Sequence, residues 1–148
     1  MHRIAAAIFV ALPAFAAAQD YCALVDKRGP EVFGTRLQAP TQRDSSGGCA
    51  ANNAEGSGRM TVGVLRMAGT EAIVASKRKD VREGESSADE PKLGKGAASI
   101  RREKGKQIEF LVPLPDRLLM VVRRERDGLT EAHIERTRAF VAAARDLR

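Results

Sequence analysis

Beyond the first eighteen residues the chain carries one histidine, His133, and two cysteines, Cys22 and Cys49. It also carries an acidic run and several dense basic runs, and these are the side chains that could do chemistry. His133 alone cannot assemble a zinc site, which needs three or four nitrogen or sulfur ligands. No serine stands in a G-x-S-x-G elbow, and a Ser-His-Asp unit would have to use His133. A structural or surface histidine is the expectation. Glu83, Glu85, Asp89 and Glu90 have the charge for calcium but lack the alternating ligand spacing of a calcium loop, so a solvated loop is expected. Paired carboxylates for glycoside hydrolysis stay open, though a sugar site usually brings stacking aromatics, and FWY residues make up 4% of the chain. Gly94-Lys95-Gly96 is too short for a phosphate-cradling loop and reads as a tight turn. No metal and no cofactor are expected.

The basic residues are the one feature that points to a partner. Lys77, Arg78, Lys79, Arg101, Arg102, Lys104, Arg123 and Arg124, with Lys106, Arg117 and Arg126 near them, fall mostly at element ends and turns. They could gather on one anion-binding face, or serve as a dispersed solubilising surface. The formal net charge is +6, and +5 once Arg3 is removed with a leader, from 24 basic against 19 acidic side chains.

The leader sets the compartment. His2 and Arg3 precede an apolar run at 4–15, and Ala16-Ala17-Ala18 fits a cleavage site before Gln19. Residues 1–18 are therefore expected to be a signal peptide and 19–148 a single exported domain, periplasmic or secreted. Export makes nucleic acid an unlikely counter-charge. Anionic lipid, lipopolysaccharide or an acidic envelope protein become the relevant partners. No other stretch is apolar enough to span a bilayer, and a monomer is expected. In an exported chain the cysteine pair Cys22 and Cys49 implies one disulfide, worth about 3–4 kcal/mol for so long a loop. A lipid anchor on Cys22 is the competing reading, disfavoured by the large polar residues Gln19-Asp20-Tyr21 before it.

The elements that would position these residues follow from periodicity. A helix is expected over 20–34, broken or kinked at Gly29-Pro30. Residues 35–58 read as loop. Residues 59–66 alternate as a strand, with Met60, Val62 and Val64 on one side. Residues 70–79 read as a helix capped by Thr70, with the β-branched Ile73 and Val74 leaving a strand open. Residues 81–96 read as a surface loop and 97–102 as a weak strand. Residues 107–112 alternate, with Ile108, Phe110 and Val112 on one face. Pro113-Leu114-Pro115-Asp116 reads as a connection outside the ladder. Residues 118–122 are apolar on both faces, as in a strand covered on both sides.

The last helix, 130–147, is the best specified. Thr130 stands at its N-cap, and Leu129 and Ile134 are spaced as a hydrophobic staple. Ile134, Thr137, Phe140, Val141, Ala144 and Leu147 form one stripe. Helix, strands and helix thus alternate around an antiparallel sheet, an α+β chain.

Cys22-Ala23-Leu24-Val25, Glu31-Val32-Phe33-Gly34, Cys49 and then a strand resemble the opening of small exported proteins of PsbP-like fold. Actinobacterial lipoproteins classed as domains of unknown function are among them. Glu90-Pro91-Lys92-Leu93-Gly94-Lys95-Gly96-Ala97-Ala98, two strands and a C-terminal helix resemble their later part. The resemblance spans most of 21–147 and departs from the lipoproteins in lacking the lipid-anchor cysteine. It implies an α/β/α sandwich around an antiparallel sheet, with the C-terminal helix packed on it. It supplies no catalytic residues and implies a non-enzymatic binding or accessory protein. An interaction module using a basic face, such as an inhibitor or assembly factor, and a carboxylate hydrolase are the alternatives.

Overall fold

A computed structural model describes residues 20–42 and 48–147. The leader expected at 1–18 lies outside the described residues. Three helices, α1 (Tyr21–Phe33), α2 (Thr70–Lys79) and α3 (Glu131–Arg145), accompany seven strands. The strands are β1 (Thr41–Gln42), β2 (Cys49–Asn52), β3 (Gly58–Leu65), β4 (Ser86–Asp89), β5 (Ala98–Arg102), β6 (Gln107–Pro113) and β7 (Leu118–Glu125). They form one antiparallel sheet in the order β1-β2-β3-β7-β6-β5-β4. The chain is thus α+β, with its C-terminal helix on the sheet.

Alternation along the strands divides the apolar residues between two cores. Met60, Val62, Ile108, Phe110, Val112, Leu119 and Val121 join Tyr21, Val25 and Val32 of α1 and Ile134, Phe140, Val141 and Ala144 of α3. Ala98, Ile100, Leu111 and Leu118 point the other way and pack with Val74 of α2. Helices therefore cover both faces: α1 and α3 one, the short α2 the other. This is why β7 is apolar on both sides at its start: Leu118 and Leu119 are both fully buried, one in each core. Each large apolar side chain so buried contributes about 1.5–3 kcal/mol.

Cys22 and Cys49 form a disulfide, with Cα atoms 5.2 Å apart across 27 positions, tying the first turn of α1 to β2. Both thiols are consumed, which removes the lipid-anchor reading for Cys22.

Several expectations need correction. α1 runs unbroken through Gly29 and Pro30. Pro30 stands on the exposed side of the last turn, and a Cβ on Gly29 would lie 2.2 Å from Leu37 Cδ1, so the glycine there is a packing requirement. Gly34, in the left-handed region, closes the helix by donating its N–H to the Pro30 carbonyl. Residues 70–79 are helical, but Gly69 is the cap and Thr70 is buried, its hydroxyl 3.5 Å from the Leu114 carbonyl. The loop expected at 81–96 contains β4, whose Ser86–Asp89 are all exposed and pair antiparallel with β5. Pro113 belongs to the ladder, opposite Leu118.

α3 opens as expected on Thr130, with one addition. Thr130 Oγ1 accepts from the His133 N–H, and His133 Nδ1 accepts from the Thr130 N–H. The histidine closes a capping box in the place usually held by Glu or Gln. Its pKa lies below the usual 6.5, first through burial and then through the positive charge of Arg123. The neutral ring this favours is the form that can accept.

Candidate functional site

The basic residues singled out by the sequence do not share a face. Lys77, Arg102 and Arg124 lie on the α2 side of the sheet, while Arg101 and Arg123 lie on the α1–α3 side. Most of them are neutralised within the molecule. Lys77 pairs with Glu109, Arg78 with Asp89, Arg101 with Glu131, and Arg102 with both Glu85 and Glu109. The acids read as a solvated loop are thus largely partners for these cations. Glu90 is itself buried and takes two hydrogen bonds from Arg138 of α3, at 2.7 and 3.0 Å. That bonding raises the Arg138 pKa above its usual value. Among the described residues, Lys79 and Lys104 make no ion pair, and no group of three or more His, Cys, Asp or Glu could hold a metal ion.

Arg123 cannot belong to an exposed face, because it is 1% exposed. It projects from β7 between α1 and α3, with its guanidinium 4.9 Å from the Phe33 ring centroid. Its Nη1 donates to the Val32 carbonyl at 2.9 Å, the His133 carbonyl at 3.1 Å and Thr137 Oγ1 at 3.2 Å. Nε and Nη2 both donate to Glu125 Oε1. Burial pushes its pKa down, and the Glu125 carboxylate opposes that. Gly58 makes room for the pair: a Cβ there would meet both Glu125 carboxylate oxygens at 2.7 Å. This network is structural, and one sequence signal could have found it. Arg123 and Glu125 sit at i and i+2 on the face that Leu119 and Val121 bury.

The register creates a different basic feature. Asn52, Arg59, Arg124, Gln107 and Arg102 stand opposite one another in a row across β2, β3, β7, β6 and β5. They lie on the α2 side, beyond the part of the sheet packed against α2. Arg59 and Arg124 are direct cross-strand neighbours, an arrangement that is destabilising unless the charge is answered. Arg124 is answered by Glu103 at 2.7 Å and by Gln107 Oε1 at 2.8 Å. Arg59 is exposed and makes no ion pair among the described residues.

Next to this pair a cleft of about 450 Å³ opens at the end of the sheet. The β2–β3 turn lines it with Gly56 and Ser57, and the β5–β6 turn with Glu103 and Lys106. Arg59, Arg124, Glu125 and Arg126 line the rest, with Asn52 and Gly58. A smaller hollow of about 230 Å³ continues from it over Thr61, Gln107 and Val122, sharing Arg59 and Arg124. Arg126 donates to the Gly56 carbonyl at 3.3 Å, and Lys106, like Arg59, makes no ion pair among the described residues. Glu125 faces Arg123, which leaves Glu103 as the acid set against the cleft's cations. The arrangement can bind and orient an anion. Of its residues, Arg124 stood in the expected anion-binding set, and Arg59 did not.

A scan with protein-family models and searches of curated proteins and of solved structures found no match to this chain.

Proposed function

We propose that this is a non-enzymatic, exported binding or accessory protein of the cell envelope, periplasmic or secreted, that holds an anionic ligand in the cleft at the end of the sheet. The observation that carries the reading is the unanswered charge there. Arg59 and Arg124 are direct neighbours on β3 and β7, Lys106 and Arg126 flank them, and among the described residues Glu103 is the carboxylate paired within this group, Glu125 being paired with Arg123. Charge-assisted hydrogen bonds from guanidinium groups are strong and geometrically selective for oxyanions.

Export is supported by the leader pattern at 1–18 and by the Cys22–Cys49 disulfide, which persists in oxidising compartments. Among the described residues no helix is long and apolar enough to cross a membrane. A likeness to PsbP-like exported proteins is part of the proposal. An antiparallel sheet with helices on both faces and a C-terminal helix is the arrangement that likeness implies. A broad basic face for an acidic protein is the weaker alternative, because Lys77, Arg78, Arg101 and Arg102 already have carboxylate partners.

Native mass spectrometry of the protein recovered from the envelope fraction tests the reading. The expected result is a monomer carrying a small extra mass that is lost on denaturation, with the denatured chain beginning at Gln19 and two hydrogens below its reduced mass. A chain retaining Met1 would overturn export, and a bare chain at low salt would overturn retention of a ligand.

A further inference from the structure

We infer, building on that reading, that the cleft takes a multivalent tetrahedral oxyanion, a phosphate group, which displaces the protein's own Glu103 carboxylate from Arg124. Glu103 already occupies the place of such a ligand. It reaches Arg124 through one oxygen at 2.7 Å, in the manner of an incoming anion. Both side chains are about half exposed, so the contact can open without unpacking the core.

The turn that carries Glu103 is held in an unusual backbone conformation. Glu103 and Lys104 both have φ of +52°, the left-handed region that non-glycine residues rarely adopt, and Gly105 follows at +82°. The turn is fixed at its far side, where Gly105 accepts from the Leu129 N–H at 2.9 Å. It therefore sets Glu103 against Arg124 while leaving Lys106, on the same turn, facing the cleft.

The charge count selects the ligand class. Of the two carboxylates lining the cleft, Glu125 is paired with the buried Arg123, which leaves Glu103 set against Arg59, Lys106, Arg124 and Arg126. A single further carboxylate would leave cations unanswered, whereas a phosphate brings up to two charges and several acceptor oxygens to one point. Ser57, and Asn52 at the end of the arginine row, add neutral polar groups to the wall. The phosphate is supplied free or as the terminal phosphomonoester of a lipid headgroup, since both present the same dianionic oxygens.

Calorimetric titration of the disulfide-intact chain at low salt with inorganic pyrophosphate, beside flotation with phosphatidic acid vesicles, tests the inference. Variants E103Q and R59Q lie in the cleft, and K79Q lies outside it as a charge-matched control; all three positions are exposed, and unchanged melting curves confirm folding. Saturable binding is expected. E103Q should bind about two- to fivefold tighter, as removal of a surface ion pair predicts. R59Q should bind at least tenfold more weakly, and K79Q should match the unaltered protein.

Binding to vesicles alone, with the same order among variants, would assign the phosphate to a headgroup. Binding of pyrophosphate would assign it to a free ligand. If E103Q binds no more tightly while R59Q still fails, displacement is overturned and the anion site stands. If R59Q and K79Q weaken binding equally, or if neither probe binds, the site itself is overturned.

Discussion

Replacing Arg123 by methionine is the sharpest test of how the two helices are held to the sheet. Methionine keeps the unbranched stem but removes every donor. The Val32 and His133 carbonyls lose a buried partner, and Glu125 Oε1 loses two hydrogen bonds and its counter-charge. Removing one member of a buried ion pair costs about 3–5 kcal/mol, because the other is left charged and dry. With a urea m-value of about 2 kcal/mol/M, the unfolding midpoint should fall by about 1.5–2.5 M, followed by far-ultraviolet circular dichroism. The stranded carboxylate predicts one further result. R123M/E125Q should be more stable than R123M at neutral pH, by about 1 kcal/mol or more. A loss in R123M below about 1 kcal/mol, or a double variant no better than the single, would refute the account.

Reduction of the Cys22–Cys49 disulfide should cost about 3.5 kcal/mol by the chain-entropy relation for a loop of 27 residues. Urea titration with and without reductant measures it, and a thiol titration of unfolded, unreduced protein should read zero. Stability should fall as pH drops from about 7 to 5.5. His133 titrates below its usual 6.5 when folded, so the unfolded chain takes up the proton first. H133Q keeps a side-chain acceptor at the third helical position and does not titrate. It should flatten that decline, and an unchanged slope would show the histidine to be unimportant to it.

What the sequence made legible was whatever is local. The stripe of α3, the alternation of β3 and β6 and the two-faced start of β7 each follow from a period of 3.6 or 2, although β7 runs three residues beyond the 118–122 that its apolar run marks. β4 was missed for the same reason: Ser86-Ser87-Ala88-Asp89 buries nothing, so its pairing leaves no hydrophobic period to read. Arg59 was missed for a different reason. Alternation tells which side of its own strand it occupies, but not that Arg124, sixty-five positions later, is its neighbour. That fact belongs to strand order. The basic clusters misled because sequence shows the charge of Lys77 and Arg102 but not the carboxylates that fold back onto them.

The strand order has a consequence for how the chain comes together. β1, β2 and β3 form one hairpin series, and β4, β5, β6 and β7 another, and among the described residues the two are joined by the ladder of β3 to β7. β7 is among the last elements made, yet it lies at the seam. Until Leu118–Glu125 has been synthesised, β3 remains an open edge with its apolar face unmatched by a neighbour. The first series can meanwhile be held by its own covalent link, since Cys22 and Cys49 both precede β3. The seam is thus completed by a strand late in the chain, beside a hairpin series that the Cys22–Cys49 crosslink ties to α1, and α3, which follows that strand, covers Arg123.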